Sequence, residues 1–524
     1  MTYKTLRTNL HLRHLIGTAL VALAPVVALA QDGSTVRIAI PAETPSMASH
    51  WGYAAKEGII LRNIHEPLVD RDPVTNELIP GLAVSWDRIA PTTWEFRLRE
   101  GVTYHDGSPF NAESAAFGIN WTYDPANAYT VAGFLPNREY RAEAVGEYVV
   151  HVHTGTPDPI YPARAYSVGL PSMVQLQNDR DAHEVTPVGT GPYRLAEWKR
   201  GSSYTLARNP DWWGAGDTSI AQPGFDTAIY VVRPEASSRI AGLRAGEVDF
   251  AWDLTPDECS ANLGASCIAG PTPETVYVRL DVTHHSMSDP RVREAMSLAI
   301  DREAIAEELM GGAQPAAALV IPGVSGHPGG DYTPYDPERA MQLLAEAKAD
   351  GVPVDSAKMF ISIREGSFAS NSEVMQAIHA MLATVGLPLT INTMEDLEFR
   401  SLFDLPASEK PISPDRGWVA LHRHNNAEFD YARTYAANHR CSGPASTGCD
   451  EARDAVFDAA AELIGDERRD AFAQIADMMY RDPAHLMFLP VAHPSIFHGV
   501  DTGLDWQPRS DMQLLLRDLR PATQ

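Results

Sequence analysis

The sequence predicts an α/β protein of more than one domain, and three observations carry that prediction. Its 524 residues exceed what one core supports, since single hydrophobic cores stop growing at about 250–300 residues. With 44% hydrophobic, 21% charged and 8% aromatic residues, the composition is that of a chain that folds in water. Stretches that alternate with period two are interleaved with stretches of helical period, the pattern of strands and helices packed in layers.

The elements follow in order. Residues 1–14 carry Lys4, Arg7 and Arg13 and no acid; Leu15 to Leu29 is apolar, and Ala28-Leu29-Ala30 precedes Gln31. A basic segment, a short apolar one and a small-residue site describe a secretory signal peptide, residues 1–30. The apolar part falls short of the roughly 20 residues needed to span a bilayer. No cysteine sits at the cleavage site, so the expectation is a periplasmic protein without a lipid anchor. Thr35–Ile40 then alternates as a strand and stops at Pro41. Residues 94–99 alternate again before a turn at Asp106-Gly107, and residues 148–153 make a third strand with His151 and His153 on one face. Asn209-Pro210 and Gln222-Pro223-Gly224 mark loops.

Helices dominate later. Asp289-Pro290 opens one with Val292, Ala295, Met296 and Ala299 at helical spacing. Asp336-Pro337 opens another, with Met341, Leu344 and Ala347 on a stripe and Gly351 as its stop. Val374, Ile378, Met381, Leu382 and Val385 make a third, ended by Gly386; Phe457, Ala461 and Ile464, then Phe472, Ile475 and Met479, make two more before Asp482-Pro483. Strands are expected between helices at 276–280, 359–363 and 388–392.

Charge and cysteines narrow the function. Lys and Arg number 42 against 68 Asp and Glu, a net charge of −26. Such a surface repels nucleic acid and anionic headgroups. Cys259/Cys267 and Cys441/Cys449 each enclose seven residues. In an oxidising compartment this reads as two small disulfide loops, one of three connectivities that four cysteines allow, and the spacing is too wide for zinc. Enzyme signatures are absent: no G-x-S-x-G, no H-E-x-x-H and no phosphate loop, while Gly189-Thr190-Gly191 lacks the third glycine of a dinucleotide loop. No enzyme, metal or cofactor is expected. A secreted hydrolase is the alternative of another class, supported only by carboxylates without an assigned place.

Longer stretches are more specific. Ile64-His65-Glu66-Pro67-Leu68-Val69, Leu82 to Trp86 and Trp94 to Glu113 come first. Val188-Gly189-Thr190-Gly191-Pro192-Tyr193 follows, with Arg208 to Asp211 and Trp213-Gly214. Asp289 to Ala295 with Ala299 to Arg302, Tyr335 to Ala340 with Leu343-Leu344, and Gly417-Trp418 complete the series. Together, in order and at compatible spacing, they resemble the extracellular solute-binding proteins of family 5, the dipeptide, oligopeptide and nickel group.

The resemblance implies a periplasmic-binding-protein-like two-lobe fold of type II, with a cleft between lobes and an extra inserted domain. Lobe one would comprise 31–65, 188–278 and 492–524, the inserted domain 66–187, and lobe two 279–491. It also implies a monomer that closes on a small-molecule or peptide solute and docks on the permease and ATPase of an ABC importer. In peptide-binding relatives an acid shortly after Gly-Trp holds the α-ammonium. Here Leu421 or His422 takes that place, which leaves Glu428 or Asp430 as substitutes. Arg364 resembles the arginine that takes the peptide carboxylate, for which a guanidinium offers a two-pronged fork. His422, Arg423 and His424 suit an anionic solute or, alternatively, a nickel or other metal chelate. Trp418 is a stacking candidate, and Glu43 and Trp51 sit where lobe-one loops face the cleft in relatives.

Overall fold

The computed structural model describes residues 35–52, 58–124, 127, 139–260, 263–354, 359–364, 370–387, 389–394 and 417–522; the expected signal peptide lies outside them. Three larger sheets organise the chain. The first has seven strands in the order Ser266–Pro271, Ser495–Val500, Phe250–Leu254, Thr35–Ile40, Thr227–Val232, Ser203–Arg208, Tyr193–Lys199. Thr35–Ile40 is central, with a parallel neighbour on each side. Val36 and Ile38 are buried while Thr35 and Arg37 are partly exposed, as the alternation predicts.

The second sheet runs Gln314–Pro315, Phe488–His493, Glu274–Leu280, Gly417–Asn425, Met359–Arg364, Leu389–Met394. Met359–Arg364 is parallel to both of its neighbours. The helices Pro290–Leu298, Pro337–Ala349 and Asn371–Thr384 bury their stripes in its core, through Val292, Leu344 and Ile378 among others. Asp289 and Asp336 cap the first two of these helices by accepting backbone N–H bonds. Two stripe positions differ from expectation. Met341 is exposed because Pro337–Ala349 buries Ala340, Leu343, Leu344 and Ala347 instead. Ile464 is exposed because it is the cap between Glu451–Ala461 and Gly465–Arg481, not part of either stripe.

The third sheet is antiparallel, in the order Ala83–Ala90, Thr93–Leu98, Val149–His153, Arg141–Gly146, with the helix Ala112–Tyr123 against it. It lies in the stretch between Thr35–Ile40 and Tyr193–Lys199 of the first sheet.

The chain passes from the first sheet to the second between Pro271 and Glu274, and back between His493 and Ser495. The boundaries expected at 278 and 491 therefore fall inside strands. Glu274–Leu280 is buried at every position and pairs along its length with Gly417–Asn425, as a strand covered on both faces does. The two passages are tied together: Thr272 Oγ1 donates to the Pro494 carbonyl at 2.7 Å, and Thr275 Oγ1 bonds His493 Nδ1 at 2.9 Å. Both disulfides are local, Cys259–Cys267 and Cys441–Cys449, which selects one of the three connectivities.

Candidate functional site

The signature residues of the first lobe converge on one carboxylate. Glu66 is buried, and its oxygens accept from Trp213 Nε1 at 2.7 Å, Thr190 Oγ1 at 2.8 Å and Trp212 Nε1 at 3.0 Å. Burial pushes its carboxyl up to about 6 against the pull of these donors. The glycines beside Thr190 serve close backbone approach. A Cβ at Gly189 would lie 2.0 Å from the Ile64 carbonyl oxygen, and one at Gly191 2.5 Å from that of Asn63. In the space left, Gly191 N donates to Ile64 O at 2.9 Å and Tyr193 N to Asn63 O at 3.0 Å. The Gly-Thr-Gly stretch thus welds two loops.

Glu43 already accepts two bonds, from Trp198 Nε1 at 2.7 Å and Gly201 N at 2.9 Å. Trp51, Arg364 and Trp418 are located by backbone; their side chains lie outside the described residues. The register pairs Phe360 with Trp418 and Ile363 with Leu421. Arg364 therefore stands beside Leu421 and His422 at the carboxyl end of the parallel strands, while Trp418 sits four residues back, roughly 13 Å at strand rise. The backbone does not bring Arg364 and Trp418 together. The carboxyl end of such strands is where open α/β sheets take ligands.

Strand alternation turns Arg423 to the face opposite His422 and His424. Arg423 pairs with Glu274 at 2.9 Å. The His422 ring lies 5.8 Å from that of Tyr277. His424 is buried, bonded to Thr434 Oγ1 at 2.8 Å through Nε2 and to Asn438 Nδ2 at 3.3 Å through Nδ1. Burial, with Arg433 nearby, brings its pKa down to about 3. Leu421, where an ammonium-binding acid would stand, is a core residue.

The two substitute acids have partners. Arg468 holds both oxygens of Asp430 at 3.0 Å, and Asp430 also caps the following helix. Glu428 pairs with Arg164 at 2.7 Å, a contact that crosses from the second sheet's lobe to the third-sheet unit. No motif in the sequence marked Arg164. A cavity of about 550 Å³ lies elsewhere, lined by Arg71, Arg99, Trp213, Arg509 and Arg517 among others, and it draws on no residue of the second lobe. Among the described residues no cluster of His, Cys, Asp and Glu could hold a metal ion, and no helix is long and apolar enough to cross a membrane.

Known proteins share this architecture. HbpA2 from Haemophilus parasuis superposes with a TM-score of 0.79 at 18% identity, over 93% of this chain and 100% of its own. The ABC transporter substrate-binding protein CtaP from Listeria monocytogenes gives 0.78 at 18%, over 94% and 100%. In sequence, the glutathione-binding protein GsiB of Shigella boydii is 28% identical over 330 residues, 61% of each chain, so the match spans about three fifths of that relative's length. A model of the bacterial extracellular solute-binding proteins, family 5 middle region, matches residues 77–434, more than half of the sequence. With its signature residues interlocked as described and two lobes joined by paired passages, the chain belongs to the bacterial extracellular solute-binding proteins of family 5.

Proposed function

We propose that this protein is the periplasmic solute-binding component of an ABC importer, which closes its lobes on a peptide, peptide-like or anionic small solute and hands it on unaltered. The observation that carries this reading is the hinge: two adjacent passages, at residues 272–273 and 494, join two separately cored lobes. Two tied strands bend readily and resist sliding. Closure moves the solute out of water, where each charge pair is less screened, and a permease that prefers the closed form reads out a ligand-driven population shift. Arg364, at the carboxyl end of the parallel strands, is the residue proposed to take a solute carboxylate, with His422 beside it.

Thermal denaturation and calorimetry with glutathione, with the dipeptide Met-Leu and with a neutral sugar test the reading, each mixture also being followed by mass spectrometry. Glutathione or the dipeptide should raise the melting temperature, by linkage worth about 2.7 kcal/mol at a hundredfold excess over Kd, and be recovered intact. Cleavage products would make the protein a hydrolase. A response to the sugar alone would overturn the peptide-like solute class.

A further inference from the structure

Away from the hinge, the second lobe reaches across through the turn Glu428–Phe429. Glu428 Oε1 accepts from Arg164 Nη1 at 2.7 Å, and Arg164 Nε donates to Asp158 Oδ2 at 2.9 Å; all three side chains are 7–8% exposed. The arginine is held from its own side. Tyr140 donates its hydroxyl to Asp158 Oδ2 at 2.7 Å, and Trp94 Nε1 donates to the Asp158 carbonyl at 2.9 Å. Tyr161 and Ala165, on the same short helix as Arg164, belong to the core of the third sheet. Arg71 adds a second grip: Nη2 donates to the Glu428 carbonyl at 2.9 Å, and the guanidinium lies 4.8 Å over the Phe429 ring. Phe429 has φ +56, a left-handed conformation that a large side chain adopts only when its surroundings impose it. Those surroundings are Ser325 N, which donates to the Phe429 carbonyl at 3.0 Å, and the Asn426 carbonyl, which accepts from Phe429 N at 3.2 Å.

Resting on the capture reading above, we propose that Arg164 and Glu428 are positioning residues that clasp the lobes shut over the solute. The third-sheet unit carries a ready-made socket of Asp158, Tyr140 and Arg164, and the second lobe supplies one carboxylate on a strained turn. Opening hydrates both partners; closing without Arg164 leaves the Glu428 and Asp158 carboxylates buried without their shared cation, which is strongly unfavourable, and closing without Glu428 forfeits the interlobe ion pair while Arg164 keeps Asp158. The clasp therefore works only in the closed form and adds to the hold on any solute. It engages Oε1 of Glu428 and leaves Oε2 buried without a hydrogen-bond partner among the described residues.

The test uses the mature protein and Glu428→Gln, Arg164→Gln and the charge-conserving Glu428→Asp. X-ray scattering without added solute should give a larger radius of gyration for Glu428→Gln and Arg164→Gln, with Glu428→Asp returning toward the wild type. An unchanged radius in Glu428→Gln, shown folded by circular dichroism, overturns the clasp even if Arg164→Gln fails to fold. In calorimetry with Met-Leu and N-acetyl-Met-Leu, Glu428→Gln should weaken both by the same factor, about tenfold and mainly through faster release. A loss confined to the free amine would make Glu428 an ammonium ligand instead. If neither probe binds the wild type, the solute class proposed above fails, while the scattering arm still decides the clasp.

Discussion

Around Glu66 the polar groups of the signature find partners inside one lobe, and the glycines between them exist to let backbone touch backbone. From Gly417 to Asp430 the second lobe spends its polar groups differently: Arg423 on Glu274 within the sheet, His424 on Thr434 beneath it, Asp430 on Arg468, and Glu428 across the gap on Arg164. The first region is a weld and tolerates no motion. The second contains a contact that parting lobes would break. The lesson is that the motifs easiest to recognise here mark packing, whereas the proposed clasp falls where the chain departs from the motif.

That contrast can be broken in stages. Gly189→Ala should have the largest effect, a stability loss of about 3 kcal/mol, because the new methyl meets a backbone carbonyl that cannot swing aside. Chemical denaturation measures it, and solute affinity of the folded fraction should stay as it was; a loss of affinity at full stability would make the weld part of the binding site.

Acidification acts next. His424 is held down to about 3 in the folded protein, against about 6.5 unfolded. Between those values the unfolded chain binds the extra proton, so stability is complete above about pH 6.5 and falls as the pH drops toward 3. Down to pH 5 this amounts to about 2 kcal/mol as an upper bound. Protonation would set a new N–H at Nδ1 against the Asn438 amide, already a donor there. His424→Gln should flatten the melting-temperature profile between pH 7 and 5, and an equally steep acid limb would remove His424 from the account.

The smallest effect belongs to the proposed solute contact. Arg364→Ala should weaken a carboxylate-bearing solute about tenfold, near 1.4 kcal/mol, with the solute-free melting temperature unchanged. Calorimetry giving equal affinities would move the carboxylate site elsewhere.

Much of the fold was legible. Thr35–Ile40, the Asp-Pro helix starts and the local disulfides follow from alternation, capping chemistry and short spacing, all of which act over a few residues. Glu274–Leu280 was harder to divide between lobes, because a strand buried on both faces carries no alternation to show which sheet it joins. The site was less legible still. His422, Arg423 and His424 read as a positive patch until the strand turned Arg423 away from its neighbours and toward Glu274. Glu43 stood in a suggestive loop but is satisfied by Trp198 and Gly201.

By itself, then, the amino-acid order determined the elements, their sequence and the family, because periodicity and motif spacing are properties of neighbouring residues. Only the tertiary structure decided which carboxylates are already spent and which one spans the lobes. Arg164 and Glu428 stand 264 positions apart, and whether they touch depends on how two independently packed bodies meet, a matter that no local pattern encodes.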